Sequence, residues 1–523
     1  MTELLAERIA RRVGQHPESI AVVDRTGSVD YGEFWSRVGR TAAGLHGMRR
    51  IAVLPTSDIE SLVVVVAAMR AGVSVVLLHR HLLPDQLARV LELAKPGAVV
   101  AVPSQHRRLR RLGFEGAVHT AVTLESEEVE PTGVVLGSEG NVPTVAVLGS
   151  EGVVRTGVAF GSDGGMPTVA VLGSAGVEWT SAARESGGPA GRVHPDSELL
   201  VGVTSGTTGE PKLFVRNQRS WATTLDRSDS TFDIGSRDRV SIPGVLDHTH
   251  FLYGALHALT RGATVDVRPV AQSLTNGATH LYSVPTIAWD VVRAGIGPVQ
   301  SVREVLSSAA RWPRTGREAL REVLPNASLV HFYGASELSF VSFDGGLGSM
   351  DENSAGELFD GVEAQIRDGL VFVRSDMLFD GYLTAAGVTD GPVDGWMSVG
   401  DRGQVVGNHL QLFGRDSDTL IRGGLNVEPA AIEAALTALP GIAEAACVAV
   451  PDARMGEAPA AAIVVHGDVP SNDEIWRHLR ANLPSPSMPI QLLTVESLPR
   501  TPRGKLDRHA LAAWLATHRQ GRN

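Results

Sequence analysis

Strand-like and helix-like segments alternate along the first 110 residues, and that alternation leaves few folds open. Ile20-Ala-Val-Val reads as a strand, residues 31–45 as a helix with apolar positions at helical spacing, and Ile51-Ala-Val-Leu as a second strand. A second helix runs through Ala71, and residues 73–78 form a third strand. Strands separated by helices pair in parallel, with helices covering both sheet faces. The same alternation resumes after a Gly/Ser/Pro-rich loop at 181–195 and continues to about residue 345. From Gly356 the chain becomes strand-rich, with strands at 364–366, 370–373, 404–406 and 410–413 between glycine-bearing turns.

A chain of 523 residues exceeds the roughly 250–300 that one core accommodates. Residues 417–523 carry their own helix (429–439), strands (445–450, 460–465) and further helices. The expected fold class is therefore α/β: a large N-terminal domain, 1–414, of βα-alternating sheets plus a β-rich subdomain, then a small mobile α+β C-terminal domain, 415–523. The junction lies near Gly414-Arg-Asp-Ser417.

One stretch departs from this plan. Residues 132–179 contain four copies of a 12-residue unit, with Gly-Ser recurring at 137, 149, 161 and 173. Each copy joins a short β-prone run to a Gly/Ser turn, so hairpins or a small meander are expected, as an inserted surface decoration outside the chemistry.

Composition excludes several classes of partner. Net charge is −11 and basic residues are dispersed, which argues against nucleic acid. Cys447 is the single cysteine, so no internal disulfide forms. The N-terminus reads as an amphipathic helix without the apolar centre of a signal peptide. The most apolar run, 61–78, is interrupted by Arg70 and Gly72 and falls short of the roughly 20 residues a membrane span needs. The expectation is a soluble cytoplasmic protein without a membrane partner; a homodimer is compatible with it.

Lys95, Lys212 and Lys505 are the only lysines, arginine supplying nearly all of the 47 basic residues. Two of the three lie in glycine-bearing motifs: Thr204-Ser-Gly-Thr-Thr-Gly-Glu-Pro-Lys212 and Pro499-Arg-Thr-Pro-Arg-Gly-Lys505. A compact ammonium suits point contact with a phosphate or carboxylate oxygen. The first motif follows an apolar run, Leu199-Leu-Val-Gly-Val, and interleaves donors with glycines: Thr204, Ser205, Gly206, Thr207, Thr208 and Gly209. Such a loop can cradle phosphates, although it does not match the Walker A pattern.

The chain resembles the acyl-adenylate-forming superfamily, which includes acyl-CoA synthetases, peptide-synthetase adenylation domains and luciferases. Beside the phosphate loop, Tyr333-Gly334-Ala335-Ser336-Glu337 is similar to its adenylate motif, and Gly400-Asp401-Arg-Gly403 to its ribose motif. Phe413-Gly-Arg415 with Ile421-Arg-Gly423-Gly424-Leu-Asn-Val-Glu-Pro429 resembles its hinge and thioesterification loop, and residues 499–508 its catalytic-lysine motif. The stretches 243–254 and 307–312, the latter containing Ala309, resemble the smaller bacterial acyl-CoA synthetases.

The resemblance implies ATP, Mg²⁺ and coenzyme A as cofactors and a small-molecule carboxylic acid or its acyl-adenylate as partner. It assigns the β- and γ-phosphates to Ser205–Gly209 with Lys212, the nucleotide to Ala309 and Tyr333–Ser336, and Mg²⁺ to Glu337. Asp401 and Arg415 fall on the ribose. Lys505 bridges carboxylate and α-phosphate, the small domain pivots near Ser417, and Gly423 and Gly424 pass the pantetheine thiol. Taken singly, Asp401 could close a turn, Glu337 could cap a helix and Arg415 could pair at the surface.

Three positions depart from the family pattern: Leu213 where glycine commonly follows the lysine, Ser336 for threonine, and Ser417 at the hinge. They leave room for a weakened adenylation step. Residues 245–253 lack the Phe-Asp-x-Ser segment of amino-acid-activating relatives, although Asp247 lies close. A hydrophobic acid, such as a polyketide- or terpenoid-derived one, fits better, with His248 as gate or wall of its pocket. The leading expectation is a complete acyl-CoA ligase. A single half-reaction enzyme, a carrier-protein-loading enzyme and a non-catalytic adenylate-binding protein are the alternatives.

Overall fold

A computed structural model describes residues 3–80, 82–101, 131–139, 142–149, 168–170, 172–173, 193–205, 211–309, 312, 314–345, 354–415, 420–427, 429–465, 470–499 and 507–518. Its centre is the helix Ile59–Ala71, capped by Asp58 accepting from the Ser61 amide and ended by Gly72 in the left-handed region. From Leu62 to Ala68 no side chain is more than 3% exposed. A helix apolar all round must be covered on every side. It shares one hydrophobic core with Val22 and Val265 of one sheet and Ile51, Val75 and Leu199 of another.

The two sheets differ in construction. The 13-stranded sheet contains a parallel run in which Ser328–Ala335, Glu304–Ser307, His280–Ser283, Arg239–Ser241, Thr264–Asp266 and Ile20–Val23 are successive neighbours. Antiparallel strands between Ser339 and Arg415 extend it on one side. In the 11-stranded sheet, Arg50–Leu54, Ser74–Leu77 and Ala98–Ala101 pair in parallel, and Glu198–Ser205 joins Ser74–Leu77. The first strand of the chain thus leaves its sequence neighbours and enters the other sheet beside Thr264–Asp266. The reason is the central helix layer, which must be roofed on both sides.

Within the repeats, Pro131–Glu139 and Val142–Gly149 form an antiparallel hairpin, closing with Glu139 opposite Val142, and pair with Ala98–Ala101. Gly137 and Ser138 of the first repeat lie within the strand Pro131–Glu139, where Ser138 stands opposite Pro143.

The C-terminal α+β part is a five-stranded sheet in which Gly456–Val465 is flanked by Ile442–Asp452 on one side and by Leu420–Arg422 and the parallel Gln491–Val495 on the other. The helices Pro429–Thr437 and Asn472–Asn482 cover one face through Ile432, Leu436, Ile475 and Leu479. Arg508–Thr517 covers the other through Leu511 and Leu515. Among the described residues no helix is long and apolar enough to cross a membrane.

Candidate functional site

Parallel sheets bind ligands in the crevice beyond the carboxyl ends of their strands, where backbone donors and loop residues converge. Three sequence-predicted positions fall there. Ala309 follows the strand Glu304–Ser307, and Tyr333 and Gly334 end Ser328–Ala335 beside it. Ala309 has φ +73°, unusual for a residue with a side chain, and is exposed. Such backbone strain persists only where the surroundings hold it.

The phosphate-loop segment is built as a hairpin. Glu198–Ser205 and Pro211–Asn217 pair antiparallel, with Thr204 opposite Lys212 and Ser205 opposite Pro211. The tip, including Gly206, Thr207, Thr208 and Gly209, lies outside the described residues. Leu213 is 1% exposed and packs with Val201, Val215 and Leu383, so this departure from the family pattern is a core residue.

Lys212 itself is exposed, with its Nζ 5.4 Å from the centre of the Tyr382 ring. Tyr382 is brought there by the strand Gly381–Thr384, which pairs with Pro211–Asn217 and sets Phe214 opposite Tyr382. Its hydroxyl donates to Glu337 Oε1 at 2.9 Å. Glu337 is 9% exposed, and its carbonyl accepts from the Phe379 amide. Tyr382 therefore joins the lysine of one motif to the carboxylate of another. Sequence reading missed it, because only the pairing of distant strands delivers it.

A second missed residue is Arg216, four positions beyond Lys212. It is buried, donates to the Ser336 carbonyl at 3.4 Å and to the Ser220 hydroxyl at 3.1 Å. Burial pulls its pKa down to about 10, opposed by the charges of Asp380 and Glu337 and by Tyr253. A buried cation behind the Ser336–Glu337 turn fixes that turn and adds positive potential beneath it.

Tyr333 and Asp401, 68 residues apart, meet directly: the phenol donates to Asp401 Oδ2 at 2.5 Å. Asp401 is 7% exposed and opens the strand Asp401–Val406, whose antiparallel partner sets Arg415 opposite it. Thus Lys212, Tyr382 and Arg216 reach the Ser336–Glu337 end of the 333–337 segment, and Asp401, with Arg415 opposite it, reaches the Tyr333 end.

An aromatic wall surrounds His250. His250 donates through Nε2–H to the Ser283 carbonyl, 2.9 Å away, and packs against Phe251, Tyr282 and Phe332. Burial lowers its pKa to about 4, so the ring is neutral at pH 7. His248 precedes the helix Thr249–Arg261; its Nε2 lies 3.1 Å from His79 Nε2. Burial also lowers the pKa of His248, against the opposing charge of Asp247. Asp247 is committed through Oδ2 to the Arg80 amide at 3.0 Å.

The small part approaches this crevice through one tight turn. Arg422 and Leu425 are paired, leaving Gly423 (φ +56°) and Gly424 (φ +81°) as a two-residue hairpin turn in the left-handed region. Both positive φ values demand glycine in such a turn. The Gly423 amide donates to the Met455 carbonyl at 2.8 Å. A methyl group at Gly424 would stand 3.2 Å from the Ala309 Cβ, and one at Gly423 would stand 2.9 Å from Thr286 Oγ1. Arg454 pairs with Asp290 at 2.9 Å across the same junction.

The residues that flank the lysine motif lie on another side of the small sheet. Residues 500–506, with Lys505, lie outside the described residues, as does Ser417. The base of their loop is closed by the Asp507 amide donating to the Pro499 carbonyl at 2.8 Å. Arg508 then anchors the base to the Glu433 carboxylate and the Cys447 carbonyl, both at 2.7 Å. Cys447 belongs to Ile442–Asp452, the edge opposite Leu420–Arg422 and its glycine turn.

Known proteins share the sequence pattern and the fold of this chain. The family model described as AMP-binding enzyme matches residues 9–383, and that of the AMP-binding enzyme C-terminal domain matches 431–505. An uncharacterized acyl-CoA ligase, YhfT, of Bacillus subtilis is 34% identical over 347 residues, covering 62% of this chain and 71% of that protein. Among solved structures, the amide bond synthetase McbA from Marinactinospora thermotolerans superposes with a TM-score of 0.75 at 25% identity, covering 97% of this chain and 99% of McbA. A malonyl-CoA ligase complex with methylmalonyl-CoA and AMP gives 0.66 at 26% identity, covering 92% and 97%.

Proposed function

Because this chain belongs to the AMP-binding enzyme family, we propose that it is an AMP-forming acid–thiol ligase acting on a hydrophobic carboxylic acid, ATP and coenzyme A. The observation that carries this reading is that contacts from the Thr204–Lys212 hairpin through Tyr382 reach Glu337 at one end of the 333–337 segment, while Tyr333 at its other end holds Asp401. Its setting is cytoplasmic, where ATP and coenzyme A are available.

A carboxylate is a poor electrophile because oxide would have to leave. Attack of its oxygen on the α-phosphorus of ATP forms an acyl–O–P bond, breaks the α–β phosphoanhydride and releases pyrophosphate. Attack of the coenzyme A thiolate on the acyl carbon then forms the thioester and expels AMP. Charge builds on the phosphoryl oxygens in the first step. In our reading, Lys212 with the 205–209 loop holds the β- and γ-phosphates, and Lys505 holds the substrate carboxylate against the α-phosphate. Tyr333 and Asp401 hold the ribose side, with Asp401 accepting from its hydroxyls.

Glu337 presents a hard oxygen donor, tied at Oε1 by a neutral phenol, and so fits Mg²⁺, which prefers one or two carboxylates plus phosphate oxygens. When bound, that ion neutralises phosphate charge. Arg216 would keep the Glu337 turn in register with the hairpin.

The Gly423–Gly424 turn supports the second step: without side chains it lets a pantetheine arm pass beside backbone at the Thr286–Ala309 rim. The pivot at Ser417 would exchange this turn for the Lys505 loop. The aromatic wall around His250 favours an apolar acid over a charged one.

The test is mass spectrometry of products from an acid library with ATP, Mg²⁺ and coenzyme A, with pyrophosphate measured in parallel. An acyl-CoA product with stoichiometric AMP and pyrophosphate is expected. Pyrophosphate without thioester would point to another acceptor, such as a carrier protein. Thioester formed only from supplied adenylate would reduce the protein to a half-enzyme.

A further inference from the structure

The two large sheets meet at a cluster of three side chains that the adenylation chemistry does not use: His79, Asp247 and His248. His79 follows the strand Ser74–Leu77 of the 11-stranded sheet, and Asp247 and His248 follow Arg239–Ser241 of the 13-stranded sheet. One ligand atom from each lies within 4.8 Å of the other two. The Nε2 atoms of the two histidines are 3.1 Å apart, with the rings at 88° to one another.

Direct hydrogen bonding leaves this arrangement unsatisfied. One imidazole can donate Nε2–H to the other. Asp247 Oδ2 accepts from the Arg80 amide and faces its guanidinium at 3.7 Å. Oδ1, however, is buried with no hydrogen-bond partner, although the Asp247 side chain is 0% exposed. It lies 3.9 Å from His248 Nε2, too far for a hydrogen bond. A buried carboxylate oxygen without a donor is costly, and such atoms call for a water or an ion.

We propose that His79 Nε2, His248 Nε2 and Asp247 Oδ1 bind a divalent cation, Zn²⁺ by the chemistry of the donors. Two imidazoles and one carboxylate form a mixed N/O set suited to zinc, and too nitrogen-rich for Mg²⁺ or Ca²⁺. With Zn–N bonds of about 2.0–2.1 Å, a tetrahedral edge is about 3.3 Å. The observed 3.1 Å between nitrogens needs only slight opening to reach it. Three protein ligands leave the fourth position for water. The Arg80 amide and guanidinium occupy Oδ2 and turn the other oxygen to the metal. The ion clamps the two sheets and fixes the His248 ring, which lies edge-on to Phe251 at the start of the aromatic wall.

The experiment uses the full chain, freed of metal by chelator dialysis and titrated with Zn²⁺ alone against a chromophoric competitor. Elemental analysis should find about one zinc per chain in the wild type, and melting temperature should rise with zinc. His79→Ala and Asp247→Asn should each weaken zinc binding by at least ~10–100-fold, the loss that removing a mere supporting partner produces. They should also abolish the zinc-dependent rise in melting temperature. With Co²⁺ as probe, the wild type should show the strong visible absorption of a tetrahedral ion. Equal zinc affinity in wild type and His79→Ala would mark binding as adventitious and overturn the assignment. So would an octahedral-type cobalt spectrum in the wild type, a result that requires no variant to fold.

Discussion

Around the nucleotide motifs, Tyr333, Asp401, Glu337 and Tyr382 are joined by hydrogen bonds between buried or half-buried groups, with Arg216 beneath them. The small sheet meets the same crevice differently, through van der Waals contact of a glycine turn and an ion pair between the exposed Arg454 and Asp290. Buried charge-assisted hydrogen bonds are worth about 1.5–3 kcal/mol each, whereas exposed ion pairs are worth roughly 0.2–1 kcal/mol. The first region is fixed before substrate arrives. The second is seated by fewer and more exposed contacts, as the proposed exchange requires.

The sharpest way to break that contrast is Lys505→Ala. It should lower pyrophosphate release by ~10²-fold or more, the scale of one lost transition-state electrostatic contact. Conversion of supplied acyl-adenylate to thioester should be spared. Equal loss in both assays would put the lysine in both steps and remove the division between the regions.

Tyr382→Phe probes the fixed region. Loss of its hydrogen bond to Glu337 should slow adenylation by ~10–100-fold, matching about 1.5–3 kcal/mol. A normal rate would show that Glu337 needs no orienting partner. Gly424→Ala probes the light contact. Its φ of +81° and the 3.2 Å approach to Ala309 should slow thioester formation by about 10-fold, leaving adenylation near normal. Half-reaction assays distinguish that result from general unfolding.

Smallest of all, Arg454→Ala should change either half-reaction by less than about fivefold, an effect that vanishes at high salt. A large effect would mean that this ion pair governs seating.

Much of this was legible in the sequence, for reasons that differ by residue. Val22, the valines of Ile59–Ala71 and Val75 declare their elements through local periodicity, so the α/β class follows from the first hundred residues. Which sheet a strand joins is not local: Ile20–Val23 pairs with Thr264–Asp266, more than two hundred positions away. Tyr333, Glu337 and Asp401 stood out because their short motifs resemble those of the adenylate-forming family. Tyr382 and Arg216 carry no such mark, since strand register alone brings them to the crevice. Leu213 looked like a departure in chemistry and is explained by packing.

The small sheet carries the glycine turn near one edge and the base of the lysine loop at the other. A body so arranged resembles a two-headed tool, which presents one head only by withdrawing the other. Under the proposed exchange of the two heads, each complete turnover contains a swing out and a swing back, and neither breaks a covalent bond. Friction sets the speed of such swings, so an added viscogen should slow the complete cycle while leaving either isolated half-reaction nearly untouched. The ceiling on throughput would then belong to the medium around the protein.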